Sequence, residues 1–170
     1  AGTIGSDGAV VAMARSLWDT TVEDPAVATA VVAIVAAHGD AGTYAECRER
    51  ARRADTAQVE QRHLRALTRF PGIDEVTILL GEMLDGGIRS QDAPYLLRDA
   101  LAHRWHRRFV WRTIADRWDE VTSRFPSNSI ARMLEGVRSL VGADTDPDVE
   151  AFLEAHPVPQ GSRQVAQHLE

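Results

Sequence analysis

Apolar residues recur along the chain three and four positions apart, and no stretch alternates in the manner of a half-buried strand. Val27, Ala30, Val31, Ile34 and Val35 trace one side of a helix. Asp24 stands where an N-cap would, Pro25 fits the first turn, and His38-Gly39 ends the run. The Asp-Pro signal recurs at Asp146-Pro147-Asp148, ahead of Val149, Phe152 and Leu153. Thr43 with Glu46, and Asp55 with Gln58, have capping-box spacing. Ser90 can cap a helix whose first turn holds Asp92 and Pro94. Gly86-Gly87 reads as a helix–helix turn, and Pro126-Ser127-Asn128 breaks the chain before Ile130, Met133, Leu134, Val137 and Val141. Pro157 and Pro159 break it again before a short helix carrying Val165 and Leu169. The pattern predicts about nine or ten helices of roughly 10–18 residues joined by short loops, lengths that suit antiparallel neighbours. No linker or low-complexity segment divides them. The expectation is one all-α domain over residues 1–170, a superhelical stack of antiparallel helix pairs, nearer a solenoid than a closed bundle and without a strict period.

The segment HRRFVWRTIADRW (106–118) tests that picture, because four arginines and two tryptophans could also form a surface that stacks bases. On a helix, Trp111 and Trp118 share a face, with Ile114 between them and Val110 and Val121 beside them. Arg107, Arg108, Arg112 and Arg117 fall mostly elsewhere, among Asp116, Asp119 and Glu120. The tryptophans are therefore expected inward. The net charge of −6 also argues against general attraction to nucleic acid.

Candidate chemistry is sparse. There is no H-E-x-x-H, no G-x-S-x-G, no phosphate-binding glycine loop and no dinucleotide fingerprint. His103 and His106 could share a metal on a helix, but no third ligand stands at supporting spacing, and two surface or boundary histidines are the expectation. His38, His156 and His168 fall at helix ends, and His63 reads as a boundary residue. Cys47 is the one cysteine, so no internal disulfide forms, and nothing points to an oxidising compartment. It lies in CRERARR (47–53), whose arginines could lower a thiol pKa, but a partly buried bystander is expected. No apolar run approaches the ~20 residues of a membrane span, and no signal peptide is recognisable. A cytoplasmic location is the expectation. Arg89-Ser90-Gln91-Asp92 is the best-placed polar cluster; it reads either as a helix start with an Arg–Asp pair or as a polar wall.

Several segments, in order, resemble the C-terminal helical domain of zinc aminopeptidases of the puromycin-sensitive aminopeptidase and aminopeptidase N type. They are GGIRSQDAPYLLRDAL (86–101), RRFVWRTIADRWDEVTSRF (107–125) and DVEAFLEAHPVPQGSRQVAQHLE (148–170). The residues that carry the likeness are Ile88, Arg89, Gln91 and Asp92, then Arg107, Trp111 and Trp118, then Phe152, His156, Pro157 and Pro159. VVAMARSLWD and DPAVATAVVAIVAAHGD near the start are similar too.

The resemblance implies a superhelix like HEAT or armadillo repeats. It implies a non-catalytic domain that packs on the catalytic domain of the same polypeptide, closes its chamber and helps select peptide substrates. Zinc would be the cofactor of the parent enzyme, and none is expected in this chain, which lacks the family's zinc and exopeptidase motifs. The chain begins AGTIG without methionine and is shorter than the family's full domain, so it is expected to be a fragment without peptidase activity alone. Arg89, Gln91, Asp92 and Arg107 become candidate substrate-binding residues on the concave face, with no catalytic residue. The alternative is a free-standing helical-repeat scaffold that binds a protein or peptide.

Overall fold

A computed structural model describes residues 7–140 and 148–158. Every regular element among them is helical, as the patterning predicts: α1 (Gly8–Leu17), α2 (Pro25–Ala37), α3 (Ala41–Arg52), α4 (Ala57–Leu67), α5 (Ile73–Asp85), α6 (Ala93–Leu101), α7 (Arg107–Asp116), α8 (Trp118–Arg124), α9 (Ser127–Leu134), a 3-10 helix (Glu135–Leu140) and α10 (Asp148–Ala155). The expected helix start at Asp146-Pro147, the end of the stripe at Val141, the break at Pro159 and the last helix with Val165, His168 and Leu169 lie outside the described residues. Contacts group the chain into two compact units, Ala1–Val76 and Thr77–Glu170.

In the first unit, α1 packs on α2, and α2 and α3 both pack on α4. Asp24 caps α2 as expected, its carboxylate accepting from the backbone N–H groups of Ala26 and Val27 at 2.7 and 3.2 Å. Two other caps differ from expectation. Asp40, not Thr43, caps α3, accepting from the Thr43 N–H at 2.9 Å and its hydroxyl at 2.8 Å. Thr56, not Asp55, caps α4, accepting from the Val59 N–H at 3.3 Å. In each case the chain holds neighbouring cap-type residues, and the one that meets an open N–H three residues on sets the start.

The buried face of α2 also departs from the stripe. Ala28, Val31, Val32, Val35, Ala36 and Ala37 are buried, whereas Val27 is 44% exposed. The helix is apolar nearly all round, so periodicity alone could not fix which side faces inward. Small alanines on the buried side let the neighbouring helices approach.

In the second unit, α6 is the central element, packed against α7, α9 and the 3-10 helix. Leu96, Leu97, Ala100 and Leu101 are buried along it. Gly86, at φ +99°, turns the chain out of α5, and the Ile88 N–H reaches back to the Glu82 carbonyl at 3.0 Å. The stripe from Ile130 to Val137 is buried as expected, but α9 gives way to the 3-10 helix at Glu135. Gly136 sits against α6 so closely that a Cβ would lie 2.6 Å from the Arg98 carbonyl oxygen. The tighter winding accompanies that approach.

The arginine–tryptophan segment is two helices rather than one, interrupted at Arg117 (φ −111°, ψ 29°). Arg117 pairs there with Asp85 and with Glu120. The inward placement of the tryptophans holds: Trp111 is 3% and Trp118 7% exposed. Both meet Phe152 of α10 edge-on, with centroids at 5.5 and 5.4 Å. His156 stacks on Phe152 at 4.1 Å and donates from Nδ1 to the Phe152 carbonyl, 2.8 Å away. The two late sequence signals are thus one cluster. Trp111→Ala should destabilise the fold by about 3–5 kcal/mol. Urea unfolding measures it, and a loss below about 1 kcal/mol would mean that the tryptophan face is not core.

Candidate functional site

The polar corner before α6 is built from its backbone upward. Ile88 is buried, the chain turns at Arg89, and the Arg89 carbonyl accepts from the N–H groups of Asp92 and Ala93 at 2.9 and 3.0 Å. Asp92, not Ser90, is the N-cap of α6, and its side chain makes no capping bond. Its carboxylate instead accepts from Arg89 Nε at 2.8 Å. The Asp92 side chain is 14% exposed and that of Arg89 54%, so the pair is half sunk at the surface. Pro94 in the first turn shapes this start, because it lacks the N–H that a capping side chain would otherwise satisfy.

The four predicted site residues are therefore only partly brought together. Arg89 and Asp92 form one ion pair. Gln91 is exposed beside it, and Arg107 is half-buried at the first position of α7. Neither Gln91 nor Arg107 makes a side-chain hydrogen bond to a described residue, so both retain donors for an outside partner.

Between α6 and α7, His103 and His106 lie in a loop rather than on a helix. Their rings stack at 5.0 Å. His103 is 5% exposed, not a boundary residue, and its Nδ1 accepts from the Trp105 and His106 N–H groups at 3.2 and 3.1 Å. That nitrogen is the start of α7's cap and has no lone pair to offer a metal. Among the described residues no group of three His, Cys, Asp or Glu side chains could hold a metal ion. The residues present do not fit zinc, and no chemical step of this chain runs through it.

The same loop carries a feature that patterning did not mark. Trp105 is 56% exposed, with the Arg104 guanidinium 5.3 Å from its ring, and Phe109 one helical turn on is 36% exposed. The outward aromatic precedes the helix, so no period governs it.

The other polar concentration lies in the first unit, on α3 and α4. Trp18 is buried, donates from Nε1 to Glu46 at 2.9 Å, and lies under the Arg50 guanidinium, 4.0 Å from the ring centre. Arg50 also donates to the Trp18 carbonyl at 2.6 Å, to Asp19 at 2.6 Å and to Glu46 at 2.5 Å. Cys47, on the same helix, is completely buried, and burial pushes its thiol up to about 12. The neighbouring arginine does not offset desolvation, so the thiol stays protonated and inert.

His63 of α4 is 7% exposed, again not a boundary residue. Its Nδ1 lies 2.9 Å from the Val59 carbonyl, which fixes that nitrogen as the donor of a neutral ring. Burial holds its pKa below the ordinary imidazole value, and the Arg50 and Arg62 charges add to that; the Val59 bond opposes them. An open cavity of ≈ 490 Å³ is lined by His63 and Val59 of α4, by Glu46, Glu49 and Arg50 of α3, and by the loop between them.

A model of the ERAP1-like C-terminal domain family matches the chain over residues 1–170. The chain belongs to that family. It is the C-terminal helical domain of the M1 zinc aminopeptidases, the non-catalytic part of enzymes whose zinc belongs to the catalytic domain. No curated protein matches the chain. Among the described residues, no helix of this ERAP1-like domain is long and apolar enough to cross a membrane.

The depressed His63 pKa has a consequence for stability. The unfolded chain takes a proton on this ring more readily than the folded one. The stabilisation is therefore complete above the unfolded value of about 6.5 and is lost as pH falls through the folded value. Urea midpoints should fall between pH 7 and pH 5, with a slope from this ring of at most about 1.4 kcal/mol per pH unit. His63→Gln should flatten that component; an unchanged slope in the variant would assign it elsewhere.

Proposed function

We propose that this domain serves a zinc aminopeptidase by closing its catalytic chamber and helping to select the peptides that enter. The family match along all of residues 1–170 carries the reading, and supports treating both compact units as one domain of a longer polypeptide. In that polypeptide the catalytic domain is the partner, peptides are the substrates, and a superhelical stack supplies the chamber wall. The compartment that the single buried thiol suits is the cytoplasm.

The proposed contact surface is the corner of Arg89, Gln91 and Asp92 together with Arg107. The Arg89–Asp92 pair stiffens the turn, and Gln91 and Arg107 present amide and guanidinium donors. Such donors suit the carbonyls and terminal carboxylate of a peptide. Part of a peptide held far from the reacting bond changes how well long substrates bind without entering the chemistry.

The test is kinetic, on the complete polypeptide. Gln91→Ala combined with Arg107→Ala should raise KM for peptides of about ten residues roughly tenfold, the scale of one lost charge-assisted hydrogen bond. Turnover of a single-residue chromogenic amide should be unchanged. Equal values for both substrates in wild type and variant would overturn the assignment of these residues. A peptide that is not hydrolysed at all by the complete polypeptide would overturn the functional reading itself.

A further inference from the structure

The cavity on α3 and α4 is bordered by charges that are already matched, except at two points. Arg50 is engaged by Asp19, Glu46 and the Trp18 carbonyl, and Arg53 pairs with Glu49 through Nε at 2.6 Å. Both bordering cations are thus neutralised by neighbours on their own wall. Asp55, in the loop at the rim, makes no hydrogen bond or ion pair with a described residue. His63 is more than nine-tenths buried and lines the cavity, yet only its Nδ1 is bonded. Nε2, on the opposite side of the ring, makes no hydrogen bond to a described residue.

With Nδ1 carrying the proton, Nε2 presents a lone pair. The unmet groups of the cavity are therefore both acceptors, one neutral on a largely buried ring, one anionic at the mouth. Val59 and Ala54 add apolar surface between them. A ligand that satisfies all three needs several N–H donors, a positive charge and a short aliphatic stem.

We propose that this cavity is a binding site for an alkylguanidinium group, the chemistry of an arginine side chain. The planar guanidinium offers five donors in a fixed fork, enough to give one N–H to His63 Nε2 while others meet the Asp55 carboxylate. The methylene stem lies along Val59 and Ala54. Trp18 and Arg50 hold the α3 wall in place, because they stack on each other and both donate to the Glu46 carboxylate. This site is separate from the Arg89 corner and does not depend on the chamber reading.

The probe is N-acetyl-arginine amide, titrated into the intact chain while the imidazole nitrogens are followed by long-range 1H–15N NMR. The expected result is a saturable shift of His63 Nε2. N-acetyl-citrulline amide, equal in shape but uncharged, should bind at least tenfold more weakly. Asp55→Asn, an exposed substitution that leaves the core intact, should weaken the arginine probe at least fivefold, and His63→Leu should abolish the saturable binding. No saturable shift at millimolar probe overturns the site. So does equal binding of the citrulline probe, or undiminished arginine binding in the Asp55 variant, which would place the contact elsewhere.

Discussion

Most of the described helices have 7–13 residues, and at that length almost none could persist alone in water, where isolated helices need roughly 12–15 residues to be even marginal. Each is held by what it buries. Among the described residues the structure is accordingly organised around pairwise burial. α3 lies along α4 in the first unit, and α6 is enclosed by α7, α9 and the 3-10 helix in the second. Gly136 is where α6 needs a backbone without a side chain, and Phe152 is where Trp111 and Trp118 meet across the break at Arg117.

The aromatic cluster shows how a segment that looks like a binding surface becomes scaffold. Phe152 stands between the two tryptophan edges at nearly right angles, 87° and 90°, the arrangement in which ring edges meet ring faces. Arg117 in the same segment is held by Asp85 and Glu120. Glu120 is held below the usual carboxylate range by that arginine. Stacking of bases would require the indole faces that the core occupies.

Legibility differed by kind of signal. Patterns set by local backbone chemistry came through: the Asp24-Pro25 start, the Gly86-Gly87 turn and the inward Trp111 and Trp118 were all readable. So was the family, from ordered short motifs that are each unremarkable alone. Failures arose where several residues could play one part. Asp40 and Thr43 compete to start α3, Asp55 and Thr56 to start α4, and only the final fit to an open N–H decides. The face of α2 was unreadable because its apolar residues surround it. Buried His63 and His103 could not be told from boundary histidines, since their burial is imposed by neighbours distant in sequence.

Those two histidines also show how burial divides structural from available polar groups. His103 directs a ring nitrogen at two backbone N–H groups and so completes the start of α7. His63 instead donates from Nδ1 to the Val59 carbonyl, and its ring lines a cavity. The Cys47 thiol beside it on α3 donates to the His63 carbonyl at 3.6 Å and stays protonated. The Arg89–Asp92 pair before α6 lies nearer the surface, the Arg89 side chain being 54% exposed. Of the two polar sites in this non-catalytic domain, the one on α3 and α4 is therefore the one built against a buried ring. Any ligand there should raise the stability of the first unit by an amount set by its concentration relative to its Kd.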